Sequence, residues 1–368
     1  MSDITTIGVL TSGGDCAGLN AVVRAVTYRA IQGYGWKVLG ILDGTAGLIH
    51  RPPRFRELTL DTLGASLLRE SGTFLGTTSK GNPLRWEMPD GSIRDFTPEF
   101  AQGARDLGLD ALIVVGGDGS MRIISQLCER AAVGMVGVPK TIDNDVYCTE
   151  VAVGFATAIN VVTEALDRLQ PTAASHHRVM ILEVMGRDTG HIAMNGGIAG
   201  GADIILVPEL PYTVAGVARR INELLAMGRT HALVVVAEGV KTEEGESATV
   251  KDAAGHARYG GIGHYLADKL AGYTPAETRV TILGHVQRGG TPSPRDRLLA
   301  SAFGVHAVDI VAKRSFGRMV AWQDGGVVDV PLSDVTIGAR TLDPDDALVH
   351  TARGLGIHLG EQRARARE

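Results

Sequence analysis

Short apolar runs ending in Gly, Asp or Glu recur along the chain and alternate with longer stretches whose apolar residues fall at helical spacing. The runs are IGVL before TSGGD, KVLGILDG, ALIVVGGDG, GMVGVPKTIDND, VMILEVMGRDTG, ADIILVPE, ALVVVAEG and RVTILGHVQRGG. Strands buried on both faces of a parallel sheet need such continuous apolar runs, and the stretches between them are the helices that cover those faces. Ligands in these folds bind beyond the carboxyl ends of the strands, where every run places its polar residues. The spacing predicts helices over Ala21–Gln32, Ile123–Ala132, Val153–Leu169 and Val214–Met227. Lys80–Thr97 and Lys241–Gly261, polar and glycine-containing, read as surface loops, either lids or plain solvated connections.

Composition narrows the class. A chain of 368 residues, 44% of them hydrophobic, has room for two domains with separate cores. The net charge of -5, with basic residues dispersed, argues against a nucleic-acid surface and directs any basic cluster to a small anionic ligand. Three cysteines, Cys16, Cys128 and Cys148, lack metal-ligand spacing, and their odd number fits a reducing compartment. With no signal-peptide pattern and no apolar run long enough to span a bilayer, a cytoplasmic protein with no membrane contact is expected.

The chemistry lies in the polar residues after the runs. In VVGGDGS a strand delivers Gly116 and Gly117 to a sharp turn where backbone N–H groups can approach phosphate, with Asp118 placed to hold Mg²⁺; the same residues also make ordinary tight turns. TSGGDCAGLN puts Gly13 and Gly14 where a second phosphate cradle would form. Neither is the GxGxxG fingerprint, and no GxxxxGK[ST] loop occurs. In PKTIDND, Asp143 and Asp145 can divide labour between proton abstraction and support, or serve as a helix cap; Thr141 and Lys140 lend the loop phosphate-binding character. Met185, Gly186, Arg187 and Asp188 follow VMILEV. Arg279, His285, Gln287 and Arg288 punctuate ETRVTILGHVQRGG. Such arginines either bind phosphate bidentately or form surface ion pairs. Glu238 either accepts from sugar hydroxyls or makes a cap or salt bridge.

The ordered set TSGGD, GTFLG, GGDGS, PKTIDND, EVMGR, VPE, AEG and ETRVTILGHVQRGG, from about Ile7 to Arg297, resembles the 6-phosphofructokinases. The resemblance implies an α/β fold of two Rossmann-like three-layer αβα domains with mostly parallel sheets and the active site between them. Residues 1–154 plus about 287–337 would bind the donor and Mg²⁺, and residues 155–286 plus about 338–368 the sugar phosphate. It also implies phosphorylation of fructose 6-phosphate at its 1-hydroxyl. Asp143 would be the base, Asp145 its supporting carboxylate, Thr141 a contact to the moving phosphoryl group and Arg187 a partner of the transition-state charge. Donor contacts would come from Gly14, Lys80, Gly117, Gly119, Ser120 and Lys140, and the metal contact from Asp118. Sugar contacts would come from Glu238, Met185 and Gly186, with His285 and Arg288 on the 6-phosphate beside Arg178 and Arg279 from a neighbouring subunit. A homo-oligomer, dimer or tetramer, with shared sites is therefore expected.

Departures bear on the donor. Lys140 is similar to pyrophosphate-using members, whereas Gly119 is the ATP-type residue, leaving room where an aspartate would repel an α-phosphate. ATP is the expected donor and pyrophosphate the alternative. Ile123 and Lys80 also depart from the ATP-type pattern, and Tyr28 stands where the family's effector site usually has a second basic residue beside Arg24. A different GGDG kinase, acting on NAD or a lipid, would account for the glycine turn but not for TIDND or HVQRGG. A non-catalytic sugar-phosphate sensor would lack one of Asp118, Asp143 and Asp145, and all are present.

Overall fold

The computed structural model describes residues 4–79, 81–251 and 257–360. Its strands, in chain order, are β1 (Thr6–Thr11), β2 (Lys37–Ile41), β3 (Phe55–Leu58), β4 (Trp86–Glu87), β5 (Ile93–Arg94), β6 (Ala111–Gly116), β7 (Gly134–Pro139), β8 (Val179–Val184), β9 (Ile204–Leu206), β10 (Ala232–Ala237), β11 (Thr249–Lys251), β12 (Ala257–Tyr259), β13 (Thr278–Ile282), β14 (Arg318–Gln323) and β15 (Gly326–Pro331). All eight apolar runs of the sequence coincide with strands. The chain divides into two compact units: the described residues up to Thr157 with Arg288–Ala339, and Ala158–Gln287 with those from Arg340 on.

The first unit is built on a seven-stranded sheet of order β15-β14-β7-β6-β1-β2-β3. The pairs β1–β2, β1–β6, β6–β7 and β7–β14 are parallel, and antiparallel strands close both edges. From β1 the chain runs outward to β2 and β3 on one side, then returns to β6 on the other, so the topological switch point lies between β1 and β6. Ile7, Val9, Leu10, Leu112, Ile113 and Val114 are fully buried, as a sheet covered on both faces demands. Phe100, Met121, Ile124, Leu127 and Met319 pack into the same core.

The second unit has a four-stranded sheet, β13-β8-β10-β9, parallel throughout. The carboxyl ends of β8 and β10 are in register, Val184 opposite Ala237.

Two helices differ from expectation. The one expected over Ile123–Ala132 begins at Asp118 and runs to Ala131. Glycine and aspartate are tolerated in a first turn, where N–H groups have no intrahelical partner and negative charge meets the positive end of the dipole. The one expected over Val153–Leu169 spans Phe155–His176 and continues through Pro171, with Ala173 buried beyond it. Within the two expected loops the structure forms β4–β5 and β11–β12, both antiparallel. Among the described residues no helix is long and apolar enough to cross a membrane.

Candidate active site

In the first unit three loops meet at the switch point. Thr11 lies opposite Val115 and Gly116 opposite Pro139, so the segments following β1, β6 and β7 leave the sheet side by side. The Ser12 amide donates to the Val115 carbonyl (2.9 Å) and the Lys140 amide to the Gly116 carbonyl (3.0 Å), tying each loop to its neighbour. The GTFLG segment joins them: the Gly13 amide donates to the Thr78 carbonyl (2.9 Å), Thr77 Oγ1 to the Gly13 carbonyl (2.7 Å) and Thr11 Oγ1 to the Gly76 carbonyl (2.8 Å). Sequence reasoning missed Thr77 and Thr78. Their contacts join residues more than 60 positions apart.

Gly117 caps the Asp118–Ala131 helix, which leaves Asp118, Gly119 and Ser120 in its first turn. A Cβ at Gly119 would meet nothing within 4 Å, so the space beside it is open. Asp118 is half-buried. Among the described residues no group of three or more His, Cys, Asp or Glu could hold a metal ion. One carboxylate at a helix start suits Mg²⁺, which takes one or two protein carboxylates and fills its shell with substrate phosphates and water.

Lys140 is only 4% exposed, and its Nζ donates to the carbonyls of Ser12 (2.8 Å) and Gly14 (2.5 Å). Burial pulls its pKa below the ordinary lysine value. Its charge is committed to the chain's own glycine turn. Arg288 does similar work, its Nη1 donating to the Asp15 carbonyl (2.9 Å) and standing 2.7 Å from where a Cβ of Gly14 would be. Lys80 lies outside the described residues.

The PKTIDND loop is folded by its own side chains. The Asp143 amide donates to Thr141 Oγ1 (3.0 Å). Asn144, at φ 54°, accepts from the Ala152 amide (2.9 Å) and donates to the Glu150 carbonyl (3.0 Å). Asp143 and Asp145 are 5% and 8% exposed. The next helix starts only at Phe155, so TIDND is not its cap. The Thr141 amide donates to the Val153 carbonyl (3.2 Å), and the neighbouring residues are held by Asp296. That carboxylate is wholly buried and accepts from the amides of Gly154 (2.9 Å) and Thr157 (2.7 Å). Burial raises its pKa although every one of these bonds lowers it. Sequence reasoning missed Asp296 too, yet Ser293–Pro294 before it announces a helix start, and Ser293 Oγ accepts from the Asp296 amide (3.1 Å).

In the second unit the residues after β8 and β10 converge. The Glu238 amide donates to the Val184 carbonyl (2.8 Å), and Glu238 Oε1 accepts from the Arg187 amide (3.1 Å). Gln287 Oε1 accepts from the Met185 amide (2.8 Å), and the Leu283 amide donates to the Glu183 carbonyl (3.1 Å), which brings the His285 segment to the same sheet end. Met185, Gly186, Arg187 and Glu238 thus form one edge. Arg178 and Arg279 do not join it. They stand at the amino-terminal end of β8 and β13 and share Glu277, to which both are ion-paired. The six residues of β8, at about 3.3 Å each, separate the two ends by roughly 20 Å.

The phosphofructokinase family model matches residues 6–311. The chain is 54% identical over 360 residues to a Synechocystis sp. protein named ATP-dependent 6-phosphofructokinase 1, covering 98% of this chain and 99% of that one. A Nostoc sp. protein of the same name is also 54% identical, over 361 residues, covering 98% and 100%. A crystal structure of Pichia pastoris phosphofructokinase in the T-state superposes with a TM-score of 0.77 at 30% identity over 91% of this chain. The chain spans 36% of that longer protein. The family match, the curated relatives and the assembly of TSGGD, GGDGS and PKTIDND at the carboxyl ends of neighbouring strands together establish that this chain belongs to the phosphofructokinase family.

Proposed function

We propose that the protein transfers the terminal phosphoryl group of ATP to the 1-hydroxyl of D-fructose 6-phosphate, giving fructose 1,6-bisphosphate and ADP, as a cytoplasmic enzyme of glycolysis. The observation that carries this reading is the meeting of two glycine turns and a two-carboxylate loop at the ends of the neighbouring strands β1, β6 and β7. Phosphoryl transfer demands positioning and charge stabilisation more than covalent chemistry from the protein. Asp143 takes the proton from the sugar hydroxyl, supported by Asp145, and Thr141 contacts the moving group. Gly14, Gly117, Gly119 and Ser120 receive the donor phosphates, Met185, Gly186 and Glu238 hold the sugar, and Arg187 meets the charge that spreads over the phosphoryl oxygens. Asp118 would hold Mg²⁺, which when bound neutralises charge on the donor phosphates.

The curated relatives carry ATP in their names, and the open space beside Gly119 supports the same donor. Lys140, the residue that favours pyrophosphate by sequence, spends its charge on Ser12 and Gly14. Arg178 and Arg279 stand at the opposite end of β8 from Met185 and Gly186, which supports the reading that they complete the site of another copy of the chain in a homo-oligomer. The test is a purified-enzyme assay with fructose 6-phosphate and Mg²⁺ in which ATP and pyrophosphate are supplied separately. ATP should give the higher kcat/KM. In Gly119→Asp, where packing does not interfere, ATP use should collapse through charge alone, because like charges a few ångströms apart cost about 4 kcal/mol at an effective dielectric near 20. A higher kcat/KM with pyrophosphate in the unaltered enzyme overturns the assignment.

A further inference from the structure

The turn that carries Arg187 is held in a conformation its sequence does not favour. Gly186 lies at φ 149° and Arg187 at φ 51°, a left-handed backbone that an arginine adopts only where its surroundings impose it. Part of the constraint is in plain view: Glu238 grips the Arg187 amide, and the Thr189 amide donates to the Gly186 carbonyl (3.0 Å). Gly239 lies so close that a Cβ there would fall 1.9 Å from the Arg187 carbonyl oxygen.

A further constraint comes from β12. Tyr259 Oη donates to Asp188 Oδ1 at 2.6 Å, immediately after Arg187. Two residues further along, the Gly261 amide donates to Glu183 (3.1 Å), as does the Gly263 amide (2.8 Å), and Glu183 is 2% exposed inside β8. The segment from Tyr259 to Gly263 therefore touches β8 and its continuation twice, once before the turn and once after it. Met185, Gly186 and Arg187 lie between the two anchors. Bonding to Asp188 raises the Tyr259 pKa above the ordinary tyrosine value, so the phenol keeps its proton at neutral pH.

We infer that Tyr259 is a positioning residue: through Asp188 it fixes the backbone turn that aims Arg187, and so acts on the chemical step without touching substrate. The inference rests on the functional reading above, in which Arg187 meets transition-state charge. A residue acting this way lowers kcat when removed and leaves ground-state binding alone, because only the transition state draws on the aim of Arg187.

The experiment is a kinetic cycle on the full-length enzyme with Tyr259→Phe, Arg187→Ala and the double variant, together with Asp188→Asn, which keeps an oxygen acceptor for the phenol. Tyr259→Phe should lower kcat about tenfold with both KM values within about twofold of the unaltered enzyme. The double variant should be no slower than Arg187→Ala alone. Asp188→Asn should retain more activity than Tyr259→Phe. Unchanged kcat in Tyr259→Phe overturns the inference, and so does a loss that multiplies with that of Arg187→Ala or resides in KM. Failure of the unaltered enzyme to phosphorylate fructose 6-phosphate overturns the functional reading instead, and the two results cannot be confused. A crystal structure of Tyr259→Phe adds a readout free of turnover: Arg187 should leave its left-handed backbone conformation, and a turn unchanged from the one described above counts against the inference.

Discussion

The glycine turn after β1 and the site loops of the second unit are stiffened by opposite charges, while beside PKTIDND the first unit also uses a carboxylate, Asp296. In the first, the Lys140 ammonium is buried against the carbonyls of Ser12 and Gly14, and Arg288 adds a bond to that of Asp15. In the second, carboxylates take backbone amides: Glu183 those of Gly261 and Gly263, Glu238 that of Arg187, Glu209 those of Gly190 and Leu342. A loop whose carbonyls are drawn inward by a cation turns its remaining N–H groups outward, toward an anion. A loop whose amides are drawn inward presents side chains instead. On the function proposed above, the first unit would meet the donor phosphates with backbone and a helix start, and the second would meet the sugar with Glu238.

The sharpest break of this contrast comes from removing charge at each edge. Asp143→Asn keeps volume but loses proton acceptance, so kcat should fall by at least about 10²-fold with sugar binding retained. Glu238→Gln should instead raise the KM for fructose 6-phosphate, and stopped-assay kinetics separate the two patterns. Next in size is Arg279→Ala. Loss of a charge-assisted phosphate contact, worth about 1.5–3 kcal/mol, should raise that KM roughly tenfold or more and spare the donor KM. Mixed oligomers of Arg279→Ala with Asp143→Asn should recover activity. Verified mixed assemblies with none would mean each chain completes its own site.

Lys140→Met tests the inward-facing cation. It leaves two carbonyls without their buried donor, so urea unfolding should report about 2 kcal/mol of lost stability, with a weakened donor KM as a consequence of a loosened turn. Full stability with only the donor KM altered would make Lys140 a direct ligand. The smallest effect concerns His191, buried and hydrogen-bonded through Nε2 to the Arg340 carbonyl (3.0 Å). Burial lowers its pKa from 6.5 to about 4. The unfolded chain therefore takes up this proton first as pH falls, so its share of stability is complete above 6.5 and is lost progressively toward about 4. The urea midpoint should drop less between pH 7 and pH 5 in His191→Gln than in the unaltered chain.

What the sequence discloses follows from how each strand is buried. The runs that become β1, β2, β6, β7, β8, β9 and β10 read as strands because parallel strands covered on both faces must be apolar without interruption, whereas β13, with Arg279 and Ile282 exposed, is legible by its alternation of polar and apolar residues. No comparable run announces β3, which is largely exposed, or the short antiparallel pairs β4–β5 and β11–β12. The loops bearing Asp118, Asp143 and Arg187 are legible for the same reason as their strands. Residues that hold those loops, Thr78, Glu183 and Tyr259, are not, since each acts through a contact to residues distant in the chain, and the helix-start signal at Ser293–Pro294 announces Asp296 as a first-turn acid but not as an anchor.

The first sheet is written in two instalments. Its β7 emerges early, but the neighbour that covers it, β14, begins only at Arg318, after the whole of the second unit's sheet has been made. A ribosome therefore releases the PKTIDND loop on a strand whose outer edge has nothing to pair with, and unpaired edges are where nascent chains meet one another. The sheet is complete only once Arg318–Pro331 has docked, and synthesis halted shortly before Arg318 should leave material that chaperones retain.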